Sequence, residues 1–234
     1  MIRGVIFDLF HTLTGLESEW SEFPPTSKML GIDRRLWDEI DAKNGRRRLS
    51  GEQRDPFLIL REMAHHADPA IPDDRIRAAT ENRVKRFRHA LQRIPEANIA
   101  TLRHLRAAGL RLGLISNADA IEVASWQESP LAGLFDFEVF SCDVGLVKPE
   151  LAIYRVCLDG LALSPGECLY VGDGGSNELV GAKDVGLRTV LMSGVIAELW
   201  PERIPERIGI ADHHIKALPE ILSLIRNRSA NAQP

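Results

Sequence analysis

The chain has 234 residues, is 44% hydrophobic and 26% charged, and carries a formal net charge of −4. That is the composition of a soluble globular protein with one sizeable core and room for a modest insertion. The acidic balance argues against a general nucleic-acid binder, and no apolar run reaches the ~20 residues of a membrane span.

The three cysteines, Cys142, Cys157 and Cys168, are odd in number and lack metal-ligand spacing. They read as reduced core thiols of a cytoplasmic protein. The amino terminus has no signal-peptide pattern; its short apolar run, Gly4 to Phe7, reads as a buried strand that delivers Asp8 at its carboxyl end.

After a short connection the character changes, and residues 20–93 contain no convincing strand. Leu36 and Ile40 suggest a helix beginning near Asp33, and Phe57, Leu60, Met63 and Ala64 suggest another. Ile76, Thr80, Val84, Phe87 and Leu91 mark one face of a long third helix. Trp20 and Phe23 are candidates to line the gap between this helical part and the rest.

From Pro95 onward strands and helices alternate. A helix from about Ile99 stops at Gly109, and a strand over Arg111–Ile115 runs into Ser116-Asn117. A helix is expected over Asp119–Gln127 with Asp119 as its cap, then a strand over Phe137–Phe140. The next helix has Pro149 at its first position and ends near Gly160. A strand over Cys168–Val171 leads into Gly172-Asp173-Gly174, a short helix spans Asn177–Asp184, and strands follow at Arg188–Leu191 and His213–Ile215. A terminal helix carries Leu218, Ile221, Leu222 and Ile225. Such alternation means an α/β fold, a parallel sheet with helices on both faces.

Chemistry in open α/β sheets sits beyond the carboxyl ends of strands. Collecting those ends brings together Asp8, Thr12, Ser116, Asn117, Lys148 and Asp173. Asp8 can attack an electrophile, and Thr12 and Ser116 supply hydroxyl donors. Main-chain N–H groups near Asn117 can hold an anionic oxygen, and Lys148 supplies positive charge. Asp173 beside Asp8 calls for a cation between them, and oxygen ligands suit magnesium. The reaction class this suggests is phosphoryl transfer to Asp8 followed by hydrolysis of the aspartyl-phosphate.

Four motifs, Asp8-Leu-Phe-His-Thr12-Leu, Ser116-Asn117, Lys148-Pro149 and Gly172-Asp173-Gly-Gly-Ser-Asn177-Glu178, resemble in order those of the haloacid dehalogenase superfamily of hydrolases. The resemblance implies a Rossmann-like core of residues 1–14 and 94–226 with strand order 5-4-1-2-3. It also implies a helical cap of residues 15–93; the polar stretch 227–234 is expected to be a disordered tail. It makes Asp8 the nucleophile and gives magnesium to Asp8, Asp173 and the main-chain carbonyl of Phe10. Ser116 and Lys148 would hold the phosphoryl group, and Glu178 would orient Lys148 or metal-bound water, with Asn177 nearby.

One position departs from the family's phosphatases, which carry a second Asp two residues after the nucleophile where this chain has Phe10. The resulting expectation is a magnesium-dependent phosphohydrolase of a small phosphorylated metabolite with slow turnover. The alternatives are a metal-independent 2-haloacid dehalogenase and a weakly catalytic phosphometabolite-binding protein. His11 could replace the missing proton donor, and Arg46 or Arg47, in the run Arg46-Arg47-Arg48, could bind a substrate anion. The sequence leaves the substrate and the oligomeric state open.

Overall fold

The computed structural model describes residues 1–16 and 22–230. Trp20 and the last four residues of the expected tail lie outside them. Six parallel strands form one sheet: β1 (Gly4–Phe7), β2 (Arg111–Ser116), β3 (Phe137–Phe140), β4 (Cys168–Gly172), β5 (Arg188–Met192) and β6 (His213–Ile215). Their order is β3-β2-β1-β4-β5-β6, so β1 is central and the sixth strand extends the expected order at one edge. Phe7 pairs with Leu114 of β2 and Val171 of β4, which brings the ends of these three strands to one level.

The sheet is buried on both faces, which explains strand sequences apolar at successive positions. Val5, Phe7, Leu112, Leu114, Leu169 and Val171 pack into one core beneath α5 (Glu96–Ala107) and α11 (Ile221–Ala230). Ile6, Ile115, Tyr170 and Leu191 pack into the other, against α7 (Leu151–Leu161) and α8 (Glu178–Asp184). Helix α11 continues to Ala230, so residues 227–230, expected to be disordered, are helical.

Between β1 and α5 the described residues form four helices: α1 (Thr26–Leu30), α2 (Arg34–Leu49), α3 (Pro56–Ala67) and α4 (Asp73–Gln92). Asp33 caps α2 by accepting from the N–H groups of Arg35 and Leu36 at 2.9 and 3.3 Å, worth about 1 kcal/mol. Ile59, Leu60, Met63, Ile76 and Ala79 give these helices a hydrophobic cluster of their own. The two parts interlock: Ile121, from the loop after β2, joins that cluster, while Leu91 of α4 packs into the sheet core.

Polar contacts also join the helical insertion to the sheet. Arg48 donates to Asp119 (2.9 Å), Arg54 to Asp143 (2.5 Å), Arg83 to Glu122 (2.6 Å) and Arg88 to Glu128 (2.8 Å), and Arg46 pairs with Glu150. At the turn after α2, a Cβ on Gly51, whose φ is +73°, would stand 2.0 Å from the main-chain oxygen of Cys142.

Two local expectations need correction. Residues 120–125 form turns followed by a short 3₁₀ segment at Trp126–Glu128, not a helix. The Asp119 carboxylate does accept from the N–H groups of Ile121 and Glu122, but the chain runs on as turns, with Ile121 in the cluster of the insertion and Trp126 in the sheet core. Pro149 does not open α7. It follows a cis peptide bond from Lys148, and the helix starts at Leu151 after Glu150.

Four short helices had no signal in the sequence: α1, α6 (Ser141–Val144), α9 (Ile196–Leu199) and α10 (Ile204–Ile210). Each has fewer than eight residues, too short for a periodic apolar stripe. No helix of the described residues is long and apolar enough to cross a membrane.

Candidate active site

The end of β1 presents Asp8, which is 6% exposed. Its Oδ1 accepts from Lys148 Nζ at 2.5 Å and its Oδ2 from the Thr12 hydroxyl at 3.0 Å. Lys148 Nζ also reaches Glu178 Oε2 at 2.5 Å, the Ile115 carbonyl at 3.2 Å and the Tyr170 hydroxyl at 3.2 Å. The lysine is thus tied to three strand ends at once.

Asn117 holds the Lys148 backbone as a clamp: its Oδ1 accepts from Lys148 N (2.8 Å) and its Nδ2 donates to Lys148 O (3.1 Å). The side chain therefore positions the lysine. Ser116 is fully buried, and its Oγ has no hydrogen-bond partner. An orphaned hydroxyl at a strand end is costly unless a ligand completes it.

The turn after β4 supplies the second carboxylate. Asp173 Oδ1 accepts from Gly175 N at 2.7 Å. Glu178 opens α8 and fills the space that glycine leaves in β4, since a Cβ on Gly172 would stand 2.1 Å from Glu178 Oε1. Both Glu178 oxygens are engaged, Oε1 by Gly174 N (2.9 Å) and Oε2 by Lys148 and the Tyr170 hydroxyl (2.7 Å). Asn177 is exposed and faces the outer side of this turn, away from the cleft.

Three carboxylates, Asp8, Asp173 and Glu178, have ligand oxygens within 4.8 Å of one another. Burial pushes the Asp8 carboxyl up; Lys148 opposes this and Asp173 adds to it. Burial together with Asp8 pushes Glu178 up to about 8 against the pull of Lys148. Burial alone would depress the Lys148 ammonium, but Asp8 and Glu178 more than reverse this and its pKa is raised.

Against the three carboxylates stand Lys148 and, beside Asp173, Arg207, so the cluster is still one positive charge short, and its free donors are hard oxygens. That set fits magnesium, with Asp8 and Asp173 the carboxylates able to hold it. Glu178, committed to other donors, fits the orienting role. The Phe10 ring is turned to Phe87 of α4, so any role of Phe10 toward a cation falls to its main-chain carbonyl.

These groups open into a cleft of about 590 Å³ between the sheet and the helical insertion. His11, at a φ of +62°, turns its ring into this cleft, with Nδ1 3.9 Å from Asp173 Oδ2 and its ring edge-on to Trp200 at 5.3 Å. Arg46 and Arg47 do not line the cleft: Arg46 pairs with Glu150 and Arg47 with Glu62 at 3.0 Å. Their neighbour Arg48 does line it, as do Arg83 and Arg86 of α4; Arg86 donates to the Phe23 carbonyl at 2.9 Å.

Several of these residues escaped the sequence reading. Tyr170 lies in an apolar strand run, so only its phenol hinted at a polar role. Trp200, Arg203 and Arg207 belong to the excursion between β5 and β6, where the sequence has no motif.

A profile of the haloacid dehalogenase-like hydrolases matches residues 2–186. The chain is 28% identical over 238 aligned positions to glyceraldehyde 3-phosphate phosphatase of Methanocaldococcus jannaschii, covering 97% of this chain and 98% of that one. It is 25% identical to the Methanopyrus kandleri protein of the same name, with the same coverage. Among solved structures, an L-2-haloacid dehalogenase superposes with a TM-score of 0.70 at 22% identity, covering 96% of this chain and 99% of that one. A HAD phosphatase from Thermococcus onnurineus superposes with a TM-score of 0.61 at 24% identity, covering 96% and 98%. Sheet order, motif residues and a profile spanning most of the sequence agree, and the chain belongs to the haloacid dehalogenase-like hydrolases.

Proposed function

We propose that this hydrolase is a magnesium-dependent phosphatase of a small phosphate ester, working through an aspartyl-phosphate on Asp8. The observation that carries the reading is the Asp8 carboxylate held between Lys148 and Thr12 with Asp173 beside it. The orphaned Ser116 hydroxyl, ready for a ligand oxygen, supports it. So does the likeness along nearly the full chain to a relative named glyceraldehyde 3-phosphate phosphatase.

Lys148 and Thr12 fix the attacking carboxylate, which lowers the entropic cost of attack. An Asp8 oxygen bonds to phosphorus as the ester P–O bond breaks, and the alcohol leaves with a proton. Water then attacks the aspartyl-phosphate, releasing phosphate and restoring Asp8. Lys148 and Ser116 hold the phosphoryl oxygens during both steps. Magnesium held by Asp8, Asp173 and the Phe10 carbonyl would supply charge that offsets those oxygens. With Phe10 where a second acid stands in related phosphatases, His11 is the cleft residue we assign to proton delivery. The helical insertion acts as a cap that closes the cleft against water.

The test is phosphate release from a panel of esters, including glyceraldehyde 3-phosphate, with magnesium or chelator, beside Asp8→Asn. Magnesium-dependent release that vanishes in the variant is the expected result. Halide release from a 2-haloacid in chelator, with no phosphate release, would overturn it in favour of a dehalogenase.

A further inference from the structure

Lys148 pairs with Asp8 and Glu178, but the hydrogen bonds of its ammonium do not extend to Asp173. Asp173 has a different cationic neighbour. Arg207 lies on α10, in the excursion between β5 and β6, and is 9% exposed. Its Nη1 donates to the main-chain oxygen of Asp173 at 2.6 Å and stands 3.4 Å from Asp173 Oδ2. The turn is shaped to admit it: Gly174 has a φ of +85°, and a Cβ there would lie 2.8 Å from Arg207 Cδ. His11 Nδ1, at 3.9 Å, approaches the same carboxylate oxygen.

A guanidinium is permanently charged, and here one nitrogen, Nη1, faces both the carbonyl and the carboxylate of Asp173. Here it does two things with opposite consequences for a cation. It fixes the turn that aims Asp173, and it occupies the electrostatic place that a cation would take. Like charges repel, so a guanidinium held against Asp173 lowers the affinity of that carboxylate for a cation.

We propose that Arg207 is a positioning residue and the built-in counter-ion of Asp173. It keeps the resting affinity for a divalent cation low, so that metal and phosphate are taken up together. This rests on the phosphatase reading for the identity of the cation. The phosphate dianion supplies the negative charge that offsets Arg207, which makes the two ligands mutually reinforcing.

The experiment is calorimetric titration of magnesium into the full chain, wild type beside Arg207→Gln and Arg207→Lys, each with and without inorganic phosphate. Removing the charge in Arg207→Gln should tighten magnesium binding roughly tenfold or more without phosphate. It should also shrink the gain that phosphate brings. Arg207→Lys keeps the charge and should stay within about threefold of wild type. A purely structural role would weaken both variants.

Equal or weaker binding by Arg207→Gln, in protein that melts like wild type, overturns the proposal. So does the absence of binding heat from all three proteins. If Arg207→Gln fails to fold, Arg207→Lys decides: wild-type affinity together with a wild-type phosphate gain supports the proposal, and loss of either overturns it. Phosphate release by the wild type, measured separately with and without chelator, reads the phosphatase assignment itself. The two can therefore fail independently.

Discussion

The ring of Phe10 meets the ring of Phe87 edge-on, with 5.4 Å between centroids and 79° between planes. The residue two places after Asp8 is thus an apolar contact to α4. A carboxyl there would help the leaving group; a phenyl ring instead holds the roof. With proton delivery resting on His11 and no carboxyl at position 10, turnover should still depend on leaving-group acidity, with aryl phosphates hydrolysed faster than alkyl ones. Phe10→Asp should narrow that gap by about 10²-fold, within the range of general-acid assistance, while lowering the melting temperature through the lost ring contact. Rates across a leaving-group series in both proteins check this; an unchanged slope would count against a limiting proton transfer.

Lys148 sits 2.5 Å from Asp8, as it does from Glu178, and Asp8 and Lys148 should each be indispensable. Asp8→Asn is expected to lower turnover by roughly 10⁴-fold or more and Lys148→Ala by roughly 10²–10³-fold. Asp8→Asn should still fold, because Lys148 keeps Glu178 as its ionic partner. Mass spectrometry after rapid quench should find a phosphorylated species in the wild type and none in Asp8→Asn.

Glu122 sits between Arg48 and Arg83, 3.6 and 2.6 Å away, yet burial and the neighbouring Asp119 push its pKa from 4.5 up to about 7. A carboxyl with a raised folded-state pKa binds its proton more tightly when folded. Its contribution to stability is therefore complete below about 4.5 and is lost as pH rises through about 7. The span corresponds to roughly 3 kcal/mol at 1.36 kcal/mol per unit. Denaturant melts at pH 5 and pH 8 should show wild type losing more stability on that rise than Glu122→Gln. Parallel losses would remove Glu122 as the cause.

Gly51 and Gly133 both have positive φ, +73° and +79°, but only Gly51 faces an obstacle, the Cys142 carbonyl. Alanine at Gly133 should cost about 1 kcal/mol, from backbone conformation alone. Alanine at Gly51 should cost more, about 2–4 kcal/mol, because backbone has to move, and it should disturb the Arg48 contact nearby. Thermal melts of the two variants, with turnover measured alongside, separate strain from contact.

The core of this fold is legible in its residues. Runs such as Val5-Ile6-Phe7 and Leu169-Tyr170-Val171 are apolar at every position because both sheet faces are covered, and each delivers its polar residue at the same level. The three long helices announce themselves by period and by Asp33. What lay hidden depends on distance in sequence. Arg207 reaches Asp173 across 34 residues with no pattern to mark it. The stretch expected as a helix over Asp119–Gln127 instead carries Ile121 to the insertion's cluster and Trp126 to the sheet core, a division no local pattern marks. Arg48, not its neighbours Arg46 or Arg47, turns to the cleft, which a run of three identical residues cannot reveal.

The ion pairs that seat the insertion on the sheet are segregated by sign: in the five described above every arginine is on the insertion and every carboxylate on the sheet side. Two are buried and three lie in solvent, with Arg46, Arg54 and Arg88 side chains more than half exposed. Dissolved salt screens the outer three far more than the inner two. Ionic strength is thus a graded control on how firmly the roof is seated: brine should loosen its rim while the Arg48 and Arg83 anchors hold, and the roof should tilt about those anchors without detaching.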